Sequence, residues 1–310
     1  MGWAGRWAGR APGLMRFPLM VYRFGIAWRY CGQPLAILAR WIWSSRETTN
    51  FTYDLTLQNK RYLAALLADV LGIEFDTAMG YMNEIEADQA FKAHIESVLR
   101  RDSRAARADA QVHLGRRLGW YVLVRVLKPR AVVETGIDKG LGSCVLAAAL
   151  LRNRAEGYEG YYWGTDINPA AGFLFCDEYA SCGEVLVGDS IESLRQLDAP
   201  IDLFINDSDH SSDYEAREYE VIESKLSDRA LIIGDNAHCS DALLNFSLRR
   251  GRDFAFFREA PLDHWYPGSG IGISFMRTPR RREAARRPAA DIDTSEPSET
   301  NRLCDLNRAA

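Results

Sequence analysis

The sequence contains no Cys-x-x-Cys pair, although it has six cysteines: Cys31, Cys144, Cys176, Cys182, Cys239 and Cys304. That argues against a structural zinc site and points to a reduced, cytoplasmic chain. No uncharged apolar run approaches the roughly 20 residues that a membrane-spanning helix needs. Arginines interrupt every stretch that could serve as the apolar core of a secretory signal. A strong net charge is also missing. The formal value is -4, which argues against nucleic acid as a general partner. There is no internal repeat. What is left, 47% hydrophobic and 26% charged residues, is the composition of an ordinary globular domain with additions.

Acidic residues are absent from the start of the chain; the first is Glu47. Before it, Arg6, Arg10, Arg16, Arg23, Arg29, Arg40 and Arg46 are interleaved with Trp3, Trp7, Phe17, Tyr22, Phe24, Trp28, Tyr30, Trp41 and Trp43. Basic and aromatic residues together suit a helix lying in a membrane interface, with the arginines at the headgroups. The alternatives are a disordered leader, or a helix packed on its own domain or on a second subunit.

Residues 47–128 read as helical. Leu57–Leu71 puts Leu63, Leu66, Leu67, Val70 and Leu71 on one face, and Gly72 ends it. A second stretch covers Glu74–Arg101, with Gly80 as its candidate interruption. A third covers Ala106–Leu127 before Pro129 stops it. These helices form either a cap over a pocket or a dimerisation surface. His94 and His113 lie here and read as packing or surface residues.

From Arg130 the pattern changes to strands alternating with helices. Ala131–Val133, Tyr161–Thr165, Glu184–Val187, Asp202–Ile205 and Ala230–Ile233 are strands. Helices are expected near 141–153, 169–180, 190–197, 212–225 and 239–249. Such alternation implies parallel strands joined by right-handed crossovers. Phe254–Phe257 and Ile271–Phe275 are two further strands with no helix between them. From Pro279 the chain is rich in Arg, Ala and Pro, then in Ser, Thr and Glu, and reads as a disordered tail. The expected organisation is a basic aromatic segment (1–46), a helical cap or dimerisation region (47–128), an α/β domain (129–278) and the tail (279–310).

Two features carry chemistry. The first is the loop after the first strand, Glu134-Thr135-Gly136-x-x-x-Gly140-x-Gly142-Ser143. A dinucleotide loop needs G-x-G-x-x-G, but Asp138 stands where its second glycine would be. Two carboxylates beside a pyrophosphate would repel it; a cationic ligand would be attracted. Ser143 is placed to cap the following helix. The second feature is positional. Glu134, Asp166, Asp189, Asp207 and Asp235 each follow a core strand, and in a parallel sheet those ends share one edge. Such an edge suits hydroxyl donors, amines, a sulfonium or a divalent cation. Asp207, Asp235 and Asn236 offer hard oxygens of the kind that Mg2+ or Ca2+ takes.

The glycine loop resembles motif I of class I S-adenosylmethionine-dependent methyltransferases. That resemblance implies a doubly wound, mostly parallel, seven-stranded Rossmann-like sheet, closed by a strand pair. It also implies the site. Gly136 and Gly140 let the backbone approach the methionyl part of the cofactor, Glu134 helps orient its amino group, Ser143 belongs to the same cofactor-binding set, Asp166 takes the ribose hydroxyls, and Asp189 with Ser190 meets the adenine. Asp207, Asp235 and Asn236 resemble the metal site of catechol-type O-methyltransferases. The stretch Asp207-Ser208-Asp209-His210 is closer to the group containing macrocin-type sugar O-methyltransferases and the proteins named cephalosporin hydroxylases. The catechol type has a lysine shortly after its first metal aspartate; here His210 is the nearby base, with His238 a weaker second.

The expected activity is therefore O-methylation of a hydroxyl on a sugar, glycolipid or secondary metabolite, with His210 and Asp207 catalytic and Mg2+ as the assisting ion. The alternatives are an N-methyltransferase on the same fold and a non-catalytic protein that keeps the cofactor fold. The expected partners are a small-molecule or glycan acceptor, with peripheral membrane contact through residues 1–46 and a homo-oligomer as further readings.

Overall fold

The computed structural model describes residues 16–47, 52–109 and 111–277. The expectations for residues 1–15 and for the tail 279–310 fall outside them. Seven strands form one sheet: β1 (Ala131–Thr135), β2 (Tyr161–Asp166), β3 (Gly183–Val187), β4 (Ile201–Asn206), β5 (Leu226–Gly234), β6 (Asp253–Arg258) and β7 (Gly270–Phe275). Their order is β3-β2-β1-β4-β5-β7-β6. β1 to β5 are parallel, and β7 runs antiparallel to both β5 and β6. This is the doubly wound sheet that the alternating pattern implied.

Both faces of the sheet are covered. Val132, Leu203 and Leu231 enter one core, while their neighbours Val133, Phe204 and Ile232 enter the other. Successive side chains on a strand point to opposite faces, so a doubly buried strand must be apolar throughout. The nine α-helices among the described residues are α1 (Arg16–Ser44), α2 (Leu57–Leu71), α3 (Phe75–Ala87), α4 (Gln89–Arg101), α5 (Arg117–Leu127), α6 (Leu141–Ala155), α7 (Ser190–Gln196), α8 (Ser212–Ile222) and α9 (Ala242–Arg249). The first core is continuous from α2 through α6; Tyr219, Ile222 and Phe246 of α8 and α9 close the second.

The helices before the sheet begin and end for local reasons. Thr56 caps α2 by accepting the Asn59 N–H, and Gly72 ends it in the left-handed conformation at φ 75°. The stretch after it breaks at Asp88 rather than at Gly80. The Asp88 carboxylate accepts the Phe91 N–H at 2.9 Å and so starts α4. α5 begins only at Arg117. Before it, Asp54 holds His113 Nδ1 at 2.8 Å and the Leu114 N–H at 3.1 Å, and Gly115 turns at φ 50°. No helix spans 169–180. There Gly172 N–H donates to Asp138 O at 2.7 Å and Leu174 N–H to Lys139 O at 3.0 Å, so the segment is tied to the glycine loop instead.

α1 is one helix of 29 residues. Its C-terminal turn is attached through Arg40 to Asp263 at 2.7 Å and through the Trp41 and Trp265 rings, 5.1 Å apart. Phe17, Tyr22, Phe24, Trp28, Tyr30 and Trp43 are exposed, Trp43 to 93%. Among the described residues no helix is long and apolar enough to cross a membrane.

Candidate active site

The strand order reverses between β1 and β4, which in this architecture opens a crevice beyond the carboxyl ends of the strands. Ladder hydrogen bonds continue past those ends and hold the loops level. Gly136 N–H donates to Thr165 O at 2.8 Å, Asp207 N–H to Thr135 O at 2.9 Å, Asp235 N–H to Asn206 O at 2.9 Å and Gly188 N–H to Asp166 O at 2.9 Å. Beyond them lies a cavity of about 680 Å³, the size of a small-molecule site.

Five carboxylates line that cavity: Asp138, Asp166, Asp189, Asp207 and Asp209. Gly136, Ser190, His210 and Asn236 line it too, with Arg116 as a basic side chain. The lining differs from the expected five. Glu134 and Asp235 lie behind it, and Asp138 and Asp209 take their places.

The glycine loop shows why. Gly136 has φ 78°, and a side chain there would collide with the Asp207 carbonyl. Asp166 Oδ2 accepts the Asp138 N–H at 3.0 Å and Oδ1 accepts the Asn168 N–H at 2.8 Å. Both oxygens are thereby aimed, and each keeps a lone pair for a ligand. Asp189 also does two things. Oδ1 caps α7 through the Glu192 N–H at 3.0 Å, and Oδ2 accepts the Tyr214 hydroxyl at 3.1 Å. Ser190 lies 2.9 Å from the same hydroxyl and donates to Glu218.

Glu134 and Ser143 work beneath the loop. The Glu134 carboxylate accepts the Tyr162 hydroxyl and Ser143 Oγ, the latter at 3.1 Å. Burial pushes its carboxyl up to about 7, against those hydrogen bonds. It lines a smaller pocket of about 40 Å³ beside the main cavity. Ser143 is buried and does not cap α6; Gly140, at φ 91°, holds that position. Glu134, Gly140 and Ser143 thus set the shape of the loop from outside the main cavity.

The ends of β4 and β5 form a second cluster. Asn236 Nδ2 donates to Asp207 Oδ1 at 3.1 Å and lies 3.1 Å from a ring nitrogen of His210, which is exposed at the rim. Behind them, both oxygens of the buried Asp235 carboxylate accept from Arg116 Nε and Nη2. Burial and the neighbouring Asp235 push the Asp207 carboxyl well above the usual range. Burial works the same way on Asp235, but Arg116 outweighs it and holds Asp235 below that range. Of the two, Asp207 is the carboxyl that holds a proton more readily and Asp235 the one that holds charge.

This donor set does not fit the divalent cation expected from the sequence. Both Asp235 oxygens are taken by a guanidinium, and a second positive charge beside it would be repelled. Among the described residues no group of three or more His, Cys, Asp or Glu side chains is arranged to hold a metal. His238 turns away from the cavity: its Nδ1 accepts the Gly270 N–H at 3.1 Å, and burial lowers its basicity.

Arg116, Tyr266 and Ser269 line the cavity without having been picked out from the sequence. Arg116 did leave a signal. The pair Arg116-Arg117 opens an apolar helix, where the backbone dipole disfavours positive charge. Two arginines placed there call for carboxylates nearby.

Residues 133–237 match the family described as a methyltransferase domain. No curated protein matches the chain. Among solved structures, an O-methyltransferase from Bacillus cereus in complex with S-adenosylhomocysteine is 17% identical, with a TM-score of 0.47 over 60% of this chain and 91% of that one. The O-methyltransferase TomG from Streptomyces achromogenes, involved in tomaymycin synthesis and bound to S-adenosylmethionine, is 16% identical, with a TM-score of 0.47 over 62% and 91%. A putative caffeoyl-CoA O-methyltransferase from Staphylococcus aureus is 14% identical, with a TM-score of 0.46 over 71% and 100%. The family match runs from within β1 to just past β5 and so contains the strand ends around the cavity. About a third of the chain, the part that builds the cavity, thus resembles a methyltransferase domain.

Proposed function

We propose that the protein is an S-adenosylmethionine-dependent O-methyltransferase acting on a hydroxyl of a sugar, glycolipid or secondary metabolite. The observation that carries this reading is the cavity lined by five aspartates, one of them, Asp207, pushed toward its neutral form, against one guanidinium. Such a surplus favours a cationic ligand. The donor set fits that cofactor: Asp166 presents two aimed acceptor oxygens for vicinal ribose hydroxyls, and Asp189 with Ser190 offers acceptors for an adenine amino group. When bound, S-adenosylmethionine supplies an electrophilic methyl group on a positively charged sulfur.

The chain's own residues then do three things. The carboxylates favour the charged cofactor over the neutral thioether product. Asp207 and Asn236 hold the acceptor oxygen in line, which supplies much of the acceleration in a displacement of this kind. His210 takes the acceptor proton, a role open to an imidazole near neutral pH. The upward shift of the Asp207 carboxyl supports this division, because a carboxyl that holds its proton more firmly is better placed to donate to an oxygen than to remove that oxygen's proton. Incubation with methyl-labelled cofactor and separate sets of hydroxyl and amine acceptors tests the reading. Label on hydroxyl acceptors supports it; label on amines alone moves the protein to the N-methyltransferase reading.

The sugar acceptor follows the resemblance of Asp207–His210 to macrocin-type enzymes. α1 supports a lipid-linked one, because exposed aromatic side chains share the helix with Arg23, Arg29 and Arg40 and with no acid. Co-sedimentation with anionic liposomes tests that contact. Binding that survives Arg23→Glu with Arg29→Glu at low salt would count against it.

A further inference from the structure

The edge formed by β4 and β5 already holds a cation. Arg116 is buried, and its Nε and Nη2 donate to the two oxygens of Asp235. Its Nη1 lies 3.8 Å from Glu259, a second buried carboxylate. The same guanidinium lines the cavity, beside Asp207 and Asn236. A metal ion shared by Asp207, Asp235 and Asn236 would have to share the buried Asp235 oxygens with Arg116 and sit against its positive charge. A guanidinium is planar, permanently charged and suited to a two-pronged grip on a carboxylate.

We propose that Arg116 stands in place of a divalent metal, so that the positive charge at the acceptor end of the cavity belongs to the protein itself. Two of its five N–H groups are used by Asp235, which leaves one on Nη2 and two on Nη1, near Glu259, to serve Glu259 and an acceptor oxygen. This changes the chemistry that the site asks of its other residues. A bound metal acidifies a hydroxyl by direct coordination. A guanidinium orients the oxygen by hydrogen bonding and leaves its proton to a side-chain base. The proposal rests on the methyl-transfer reading for what Arg116 does, but not for what it excludes. Metal binding is measured without turnover, so the two can fail separately.

The experiment is a Mn2+ titration of the full chain followed by electron paramagnetic resonance, with melting temperature in Mg2+ as a second readout. The wild type is expected to leave Mn2+ free up to about 1 mM, the weak end of protein sites for hard divalent ions. Arg116→Ala uncovers the Asp235 oxygens; it is expected to bind one Mn2+ per chain and to melt higher in Mg2+. Adding Asp235→Asn is expected to abolish both effects. Should the alanine variant fail to fold, Arg116→Met replaces it, and the wild-type titration still decides. One Mn2+ bound by the wild type and lost in Asp207→Asn would overturn the proposal. So would the absence of binding in both the wild type and a folded Arg116 variant, since the carboxylates would then not be a metal site in waiting.

Discussion

Asp166 Oδ2 accepts the backbone N–H of Asp138 at 3.0 Å, so one carboxylate joins the end of β2 to the glycine loop after β1. The loop and the proposed ribose acceptor are therefore a single mechanical unit. Asp166→Ala removes the acceptors and releases the loop. Affinity for S-adenosylhomocysteine is expected to fall about 10- to 100-fold, the loss of one or two charge-assisted hydrogen bonds. Titration calorimetry checks this, with circular dichroism to show that the sheet is intact.

Gly136 is placed where the backbone of Asp207 leaves no room for a side chain. Gly136→Ala forces either the glycine loop or the end of β4 to move. We expect a loss of roughly 1–3 kcal/mol in stability, the usual cost of strain at such a position. The same movement should weaken cofactor binding. Chemical denaturation of both proteins measures the first effect. An unchanged midpoint would show that the two loops do not press on each other.

Glu134 and Glu218 are buried, and burial raises both carboxyls from the ordinary 4.5 to about 7. In the folded protein they keep their protons between those values, whereas the unfolded chain releases them. The stability they contribute is thus complete below pH 4.5 and is lost as pH rises to about 7. The expected result is a melting temperature that declines across this window and then levels. Each group contributes at most about 3 kcal/mol of that change. Glu218→Gln should flatten part of the slope. A stability that rises between pH 5 and about 7 would contradict this assignment.

His210 is exposed and held beside Asn236, within the cavity lining. His210→Ala should lower kcat by about 100- to 10,000-fold, the usual share of a general base. Affinity for S-adenosylhomocysteine should stay as it was. Single-turnover measurements with a hydroxyl acceptor separate the two quantities. A drop in cofactor affinity with kcat retained would make His210 a binding residue instead.

Much of the fold was legible because its causes are local. Val132, Val133, Phe204 and Ile232 sit in strands buried on both faces, so their runs are apolar without interruption. Gly72 and Thr56 mark the ends of α2 by chemistry that needs no tertiary context. The departures have tertiary causes. The stretch 169–180 has helix-forming residues, but its backbone pairs with Asp138 and Lys139 of the glycine loop. His113–Gly115 is drawn out of a helix by Asp54, about sixty positions away in the chain. The acids at the strand ends were legible as a set, yet not their directions. Asp166, Asp189 and Asp207 face the cavity, while Glu134 turns beneath the loop and Asp235 turns to Arg116. The partner that decides the last case comes from the turn before α5, far earlier in the chain.

Calorimetric titration of the intact chain with S-adenosylhomocysteine, in low and high salt, goes most directly to whether this acidic pocket is a cofactor site. The account predicts one site per chain, lost or strongly weakened in Asp166→Ala and unaffected by EDTA. Folded protein that takes up neither S-adenosylhomocysteine nor S-adenosylmethionine, while binding a nicotinamide dinucleotide or a nucleoside triphosphate, would contradict it.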